Sequence, residues 1–224
     1  MRAHQRGFTV IEVVVSLALV AIALTGISKG ALWLSSQADT LEGFDNTQST
    51  LRIATNMFRK WYSNQPSTSV LSRSDCDVTN TWCRTIQFDT RNVAGAIERV
   101  TITTVCDSEG VAAQKLSAYQ SLASERRVGA EFFGTTECLV PKVHVSRNGT
   151  LWKTFPPAGT AKGTPFAMAA STVAVGADVQ MMLGAAYLIG DKVSRIETSI
   201  IFNPQSYLYG GDVYGRGQKI SVSY

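Results

Sequence analysis

Residues 8–28 form the stretch FTVIEVVVSLALVAIALTGIS, which decides the fold of the N-terminal part of the chain. At about 1.5 Å per residue, a helix of this length covers roughly 30 Å, the hydrocarbon thickness of a bilayer. Arg2, His4 and Arg6 precede the stretch, and only Lys29 follows it closely. The positive-inside rule therefore predicts one membrane span, with a short cytoplasmic tail and the rest of the chain outside.

Glu12 is the one charged side chain in this stretch. An acid in an inserted apolar helix costs on the order of 2 to 3 kcal/mol, so it indicates a function. A cleaved secretory signal peptide, with MRAHQR as its basic region and Ala21-Ile22-Ala23 as its cleavage site, is one interpretation of the segment. A permanent single-span anchor is another. Neither of them explains the acid.

The segment Gly7-Phe8-Thr9-Val10-Ile11-Glu12-Val13 resembles the cleavage and methylation signature of type IV prepilins. Pilins, minor pilins and type II secretion pseudopilins share this signature. The resemblance rests on a basic tail, a glycine directly before an aromatic residue, and a glutamate four residues after that aromatic. It is close over residues 5–30 and looser, as a helical pattern, to about residue 62.

The resemblance implies that a prepilin peptidase cuts between Gly7 and Phe8, because the protease needs an unhindered residue there, and that the new amino group of Phe8 is N-methylated. An offset of four residues on a helix places the Glu12 carboxylate within reach of a Phe8 amine, in the same subunit or in a neighbour. Pairing the two charges offsets part of their desolvation cost and would set the register between subunits. The implied partners are other pilin or pseudopilin subunits, an inner-membrane assembly platform, and membrane lipid before assembly.

Apolar residues continue beyond the span at steps of three and four, which predicts one long helix over residues 8–62. Its first half is apolar all round and its second half is amphipathic. We expect the apolar stripe over residues 31–61 to dock on a sheet, with a coiled-coil partner as the alternative. Gly26, Gly30 and Gly43 lower the helix preference by up to about 1 kcal/mol each, so bending or local melting is expected there. The expected organisation is a cleaved leader over 1–7, a membrane and assembly half-helix over 8–28, an amphipathic half-helix over 29–62, and a globular head over 63–224.

The sequence predicts an α+β head with an antiparallel sheet. Residues 66–81 are polar and predict a loop. Strands are predicted over 85–89 and 97–106 with a turn at Asn92 and Gly95, over 195–202, and over 219–224. The clearest hairpin joins 143–147 to 150–155 through Asn148-Gly149, because both turn residues tolerate positive φ.

Three further segments are less regular. Residues 111–128 predict a short helix. Residues 170–188 are apolar enough for a helix or for buried strands, and they are a weak candidate for a second membrane span. Residues 203–218 hold several glycines and tyrosines with Asp212, and we expect a solvated loop there rather than a partner or calcium site, since one carboxylate is too few for a calcium cage.

Four cysteines, Cys76, Cys83, Cys106 and Cys138, form an even set without a CxxC pair or a nearby histidine, so no metal site is predicted. Disulfides are favoured over buried free thiols. The preferred pairs are Cys76 with Cys83, which closes a short polar loop, and Cys106 with Cys138. Oxidised cysteines would place the head in an oxidising space such as a bacterial periplasm.

The composition and motifs give little sign of catalysis or of nucleic-acid binding. With Arg2 and Arg6 set aside, the 21 basic residues fall to 19 against 17 acidic ones, and no basic stripe remains. No Walker loop, dinucleotide fingerprint, HExxH motif or GxSxG motif is present, and no cofactor is expected. His144, the one histidine outside the leader, falls in a predicted strand. A secreted hydrolase that uses it is the weakest of the functional classes considered.

The sequence therefore predicts a structural subunit, a minor pilin or minor pseudopilin, that is not an enzyme. It would begin as a single-pass inner-membrane protein with a periplasmic head and then enter a periplasmic or cell-surface filament. A head of roughly 160 residues favours a minor or tip subunit. By the resemblance, Glu12 argues against the capping pseudopilins that lack this acid. The alternative is a membrane-tethered periplasmic binding domain that does not polymerise.

Overall fold

A computed structural model of the chain describes residues 9–66, 69–79, 81–133, 138, 140–158, 163–176 and 178–202, and the backbone of 221–223. The chain divides into two compact units, Met1–Leu41 and Glu42–Tyr224. The predicted leader residues 1–7 and the predicted loop 203–218 lie outside the described residues.

The long N-terminal helix predicted over 8–62 is confirmed as α1, Val10–Ser63. Helical hydrogen bonding continues through Gly26 and Gly30, so the local melting expected at these glycines is wrong. The cost of each glycine, about 1 kcal/mol, is small beside the hydrogen bonds of the good helix formers around it. In the first unit the large apolar side chains are exposed, from Val10 to Leu41. Among the described residues this is the one helix long and apolar enough to cross a membrane.

In the second unit, the remaining part of α1 contributes one face to the core. Its buried residues are Gly43, Thr47, Leu51, Ala54, Thr55, Phe58, Trp61 and Tyr62. The expected core face over 31–61 is thus correct from Gly43 onward and wrong for 31–41, where Leu34 and Leu41 of the predicted stripe are exposed. The reason is that packing on the strands of the head begins at Gly43.

The head contains a nine-stranded antiparallel sheet, so the predicted α+β class is confirmed. The strand order is β5-β4-β3-β2-β6-β7-β8-β9, and β1 pairs with β2 off this path. The strands are β1 Ser72–Cys76, β2 Trp82–Arg91, β3 Ile97–Cys106, β4 Pro141–Arg147, β5 Thr150–Phe155, β6 Ala167–Val175, β7 Asp178–Ile189, β8 Lys192–Phe202 and β9 Ser221–Ser223. The link between β2 and β6 is short, with pairing at Trp82 and Cys83.

Both predicted hairpins are present. In the β2–β3 turn, Asn92 Oδ1 accepts the backbone N–H groups of Ala94 and Ala96, and Gly95 has φ 83°. In the β4–β5 turn, Asn148 and Gly149 adopt φ 48° and 80°. These positive angles suit a two-residue hairpin turn, which is why the Asn-Gly pair could be recognised in the sequence.

The polar segment predicted as a loop over 66–81 contains a strand, β1, and Cys83 lies within β2. The prediction failed because β1 lies beside β2 with mostly exposed side chains, so it lacks the apolar alternation that marks a strand. Backbone pairing of Arg73 with Ile86 and of Cys76 with Cys83 holds β1 in place.

At the other end of the sheet, the strand predicted over 219–224 is confirmed over Ser221–Ser223, which pairs with β8.

The ambiguous segment 170–188 forms the β6–β7 hairpin, so it is not a second membrane helix. Strand β6 is buried on both faces. Met168 and Ala170 belong to the core beneath α1, whereas Ala167 and Ala169 belong to a second apolar cluster. Tyr119 of α2, Ala113–Gln120, packs in that second cluster, and a single 3-10 turn follows over Ser124–Arg126. The short helix predicted within 111–128 is therefore confirmed.

Aromatic side chains join the head part of α1 to strands that are distant in sequence. Phe58 meets Phe155 of β5 edge to face, with ring centroids 6.2 Å apart. Tyr62 meets Phe88 of β2 at 5.9 Å and Phe202 of β8 at 4.6 Å. Such pairs contribute about 0.5 to 1.5 kcal/mol each beyond their buried area. They therefore hold the helix against both parts of the sheet, β1–β5 and β6–β9, which meet at the β2–β6 link.

Gly43 sits at a close approach in the head. A Cβ at this position would lie 2.6 Å from Cδ2 of Tyr187, and a Cβ on Gly163 would lie 2.9 Å from Cα of Gly43. The Tyr187 ring is itself buried and cannot swing away freely. Gly43 is therefore required by packing.

We predict that Gly43→Ala destabilises the head by about 1 to 3 kcal/mol, because overpacking outweighs the gain in helix propensity. Gly30→Ala is the matched control, since a Cβ there meets nothing within 4 Å. Urea unfolding of the detergent-solubilised chain, followed by tryptophan fluorescence, measures both variants. Equal or greater stability of Gly43→Ala would contradict the close packing described here.

Candidate functional site

The predicted assembly acid, Glu12, lies in the first turn of α1. The predicted cleavage and methylation residues, Gly7 and Phe8, lie outside the described residues. The distance between the Phe8 amine and the Glu12 carboxylate therefore stays a prediction.

Glu12 and Thr9 form a reciprocal pair of bonds at the start of the helix. The backbone N–H of Thr9 donates to Glu12 Oε2 over 2.9 Å, and the Thr9 hydroxyl donates to the same oxygen over 3.0 Å. In return, the backbone N–H of Glu12 donates to Thr9 Oγ1 over 3.3 Å. This is a capping box, which satisfies backbone N–H groups that a helix start leaves without partners.

The sequence signal for this cap is Thr9-Val10-Ile11-Glu12, the Thr-x-x-Glu spacing of a capping box. The sequence analysis did not identify this cap, because it interpreted the acid only as a costly charge in an apolar helix and as a partner of the Phe8 amine. Glu12 therefore has a role within a single chain that does not require a charged partner.

The cap uses one oxygen of the carboxylate. Among the described residues Thr9 alone bonds to it, and both of these bonds reach Oε2. No described residue bonds to Oε1. Around it, Val10 and Ile11 are 82% and 72% exposed, and Val13 and Val14 are also exposed. A contiguous apolar surface of this kind is typical of a membrane or protein contact, so the acid stands at the start of a surface suited to an apolar environment.

The described residues define a class of protein that has an exposed apolar helix, an acid in the first turn of this helix, and an α+β head. Residues 2–28 match a family model described as the prokaryotic N-terminal methylation motif, which is the type IV prepilin signature. The resemblance found in the sequence is thus confirmed for this segment. No curated protein and no solved structure matches the chain.

The motif supports a type IV prepilin-like protein and suggests a structural role. It also implies processing by prepilin peptidase and assembly with other pilins. Together with the apolar helix, it fits a membrane-anchored protein.

Two disulfides connect the cysteines of the head, in the pairing favoured from the sequence. Cys76–Cys83 joins β1 to β2 at directly paired positions. Cys106–Cys138 joins the end of β3 to a residue before β4 across a sequence separation of 32. Among the described residues, no group of three or more His, Cys, Asp or Glu side chains could hold a metal ion.

His144 lies in β4, where it pairs across the sheet with Thr103 and Thr154. Burial lowers the pKa of His144, and the positive charge of Lys142 lowers it further. The negative charge of Asp107 acts in the opposite direction and raises this pKa. The imidazole is therefore neutral at neutral pH. Within the described part of the chain, no side-chain hydrogen bond links it to a nucleophile.

The two disulfides should contribute unequally to stability. On the chain-entropy account, a loop of 32 residues gives about 3.7 kcal/mol and a loop of 7 about 2.4 kcal/mol. We expect the Cys106→Ser/Cys138→Ser double variant to lose about 1 kcal/mol more in unfolding free energy than Cys76→Ser/Cys83→Ser. Chemical unfolding without reductant measures this difference, and a reversed order would contradict the assignment of the longer loop as the main covalent restraint.

Proposed function

We propose that this chain is a minor pilin or minor pseudopilin, a structural subunit of a bacterial type IV pilus or type II secretion-like filament. The observation that carries the proposal is the methylation motif over residues 2–28, with Glu12 in the first turn of an exposed apolar helix. The disulfide-linked head supports an oxidising location such as the periplasm.

In this proposal the chain is first an inner-membrane protein with a periplasmic head and lipid around its apolar helix. Prepilin peptidase removes residues 1–7 and methylates the new amino group of Phe8. The assembly platform in the inner membrane then extracts the subunit into a periplasmic or cell-surface filament. Other pilin or pseudopilin helices replace the lipid around the exposed apolar side chains of α1.

The charge on Glu12 is the assembly element in this account. A free α-amino group has an ordinary pKa near 8, so the amine of Phe8 would be positive at neutral pH. In this proposal Glu12 Oε1 accepts from that cation, while Oε2 keeps the capping box. An unpaired charge in an apolar bundle costs several kcal/mol, so a subunit seated out of register would be disfavoured.

The first test is the chemical state of the N-terminus. Mass spectrometry of the chain purified from membranes should give a mature form that begins with N-methylated Phe8. An intact leader, or cleavage after Ala23, would contradict the proposal. The variant Gly7→Val supplies the control, because a branched side chain at the cut should leave the leader attached.

A membrane-tethered binding domain that does not polymerise is the second candidate. The capping box favours it, because this contact accounts for Glu12 within one chain and without a neighbouring subunit. The two candidates differ in what they require of the acid. A cap needs a hydrogen-bond acceptor, whereas assembly needs a negative charge.

Two substitutions of Glu12 separate these requirements. Glutamine at this position of a capping box preserves the cap and removes the charge, whereas alanine removes both. We predict that Glu12→Gln and Glu12→Ala both keep membrane insertion and leader removal but lose incorporation into filaments, by about tenfold or more. Immunoblots of sheared filament fractions, normalised to membrane-bound subunit, measure incorporation.

Thr9→Ala is the matched control for these variants. It weakens the cap by about 1 kcal/mol and leaves the charge of Glu12 in place, so incorporation should remain close to that of the unmodified chain. If Glu12→Gln incorporated normally while Glu12→Ala did not, the acid would act as a cap alone and the assembly account would be wrong.

A further inference from the structure

A cavity of about 370 Å³ opens on the head, far in sequence from the methylation motif. Strands β6, β7 and β8 form its floor, and the segment 125–131, which follows α2, forms its wall. Its size lies within the range of small-molecule sites in proteins.

Small residues fix the shape of this cavity. Gly129 has φ 74°, and a Cβ there would lie 2.8 Å from the Cβ of Ala169 in the floor. A Cβ on Gly184 would lie 3.0 Å from Cγ1 of Val128 in the wall. Wall and floor therefore meet at positions that have no side chain or a small one, which leaves the space beside them open.

The polar groups of the cavity come from three places in the chain. Glu131 comes from the wall, buried Ser171 from β6, and Arg195 and Glu197 from β8. Arg195 Nε lies 3.5 Å from Glu197 Oε1, and its Nη1 donates to the backbone carbonyl of Glu125 over 2.9 Å. The guanidinium of Arg195 therefore contacts both the carboxylate of Glu197 and a backbone carbonyl of the wall.

Negative charge is in excess around this space. Three carboxylates, those of Glu125, Glu131 and Glu197, line it together with two guanidiniums, those of Arg127 and Arg195. Arg127 donates to the backbone carbonyls of Leu122 and Gln120. One more positive charge would balance the set.

The carboxyl of Glu131 has a raised pKa. Burial is the main cause of the rise, and the nearby charge of Glu197 adds a smaller one. A hydrogen bond from Ser171 and the charge of Arg195 act in the opposite direction without cancelling the rise. Although its carboxyl is partly desolvated, the residue Glu131 as a whole is exposed. A ligand that enters the cavity can therefore reach it.

We propose that this cavity binds a primary alkylammonium group, with its nitrogen between Glu131 and Glu197 and its alkyl chain along Trp82 and Met182. An ammonium is a compact cation with three donors, and two carboxylates from different elements can accept from it at once. The indole of Trp82 offers an aromatic face that also attracts cations. The ammonium can come from a free amine or from a lysine side chain of another protein. This site does not depend on filament assembly.

Titration of the full chain in detergent micelles tests the proposal. Cadaverine, with an ammonium at each end, is the cationic probe, 1,5-pentanediol is its neutral counterpart, and glutarate is an anion of similar length. We expect cadaverine to bind with a dissociation constant of about 1 mM or tighter by calorimetry, and at least about tenfold more tightly than either other probe. No cadaverine binding, or equal binding of the alcohol or the anion, would overturn the proposal.

The source of the ammonium is examined with N-acetyl-lysine methylamide, in which only the side chain is charged. Tighter binding of this probe than of cadaverine supports a protein lysine as the ligand, and the reverse order supports a free amine. Failure of both probes would overturn the shared chemistry. The affinity should also fall as the pH is lowered through the raised pKa of Glu131, because its protonated form carries no charge for the ammonium.

Glu131→Gln should weaken cadaverine binding about tenfold or more while the thermal unfolding of the head stays unchanged. Glu109→Gln is the matched control, because it removes the charge of an exposed glutamate outside the cavity. Ser171→Ala provides a second variant within the site. It removes a donor to Glu131 and keeps both carboxylates, so binding should persist. Equal loss in Glu131→Gln and Glu109→Gln would indicate a nonspecific charge effect and would overturn the site.

Discussion

The docking of residues 43–62 of α1 against the sheet is the contact on which the head depends. Gly43 allows the helix to approach the ring of Tyr187, and Phe58 and Tyr62 then reach β5 and β8, which lie on opposite sides of the β2–β6 link. Because β2 and β6 pair only at two positions, the helix adds contacts to the strands on either side of this link, through Phe155 of β5 and Phe202 of β8. The Thr104 hydroxyl of β3 also joins the two sides, because it bonds to the backbone of Ala170 in β6.

The same helix begins under a different constraint, since Glu12 must be accommodated among exposed apolar side chains. The capping box with Thr9 satisfies backbone donors and one carboxylate oxygen, and no described residue bonds to the other oxygen. A role in helix initiation and a role in pairing with a neighbouring amine are thus compatible. The methylation motif over residues 2–28 places this acid in the context of a prepilin-like protein.

Much of the fold was predictable because its signals are local. The length of α1 followed from its apolar steps, and the β4–β5 hairpin followed from Asn148-Gly149, whose positive φ angles few other residues adopt. The segment 170–188 was not predictable, because β6 is buried on both faces and so shows no alternation. Strand β1 was missed for the opposite reason, since it is largely exposed. The cavity around Glu131 could not be found in the sequence, because its polar groups meet only through the pairing of β6, β7 and β8.

We propose that Glu12 lies against the amino terminus of another subunit when the chain is assembled. A photoreactive amino acid at Val13, next to the acid, reports its surroundings directly in filament-producing cells. After irradiation and proteolysis, the account predicts cross-links to the N-terminal peptide of a pilin-like subunit, and it predicts that Glu12→Gln abolishes them. Cross-links to lipid alone, unchanged in Glu12→Gln, would contradict it.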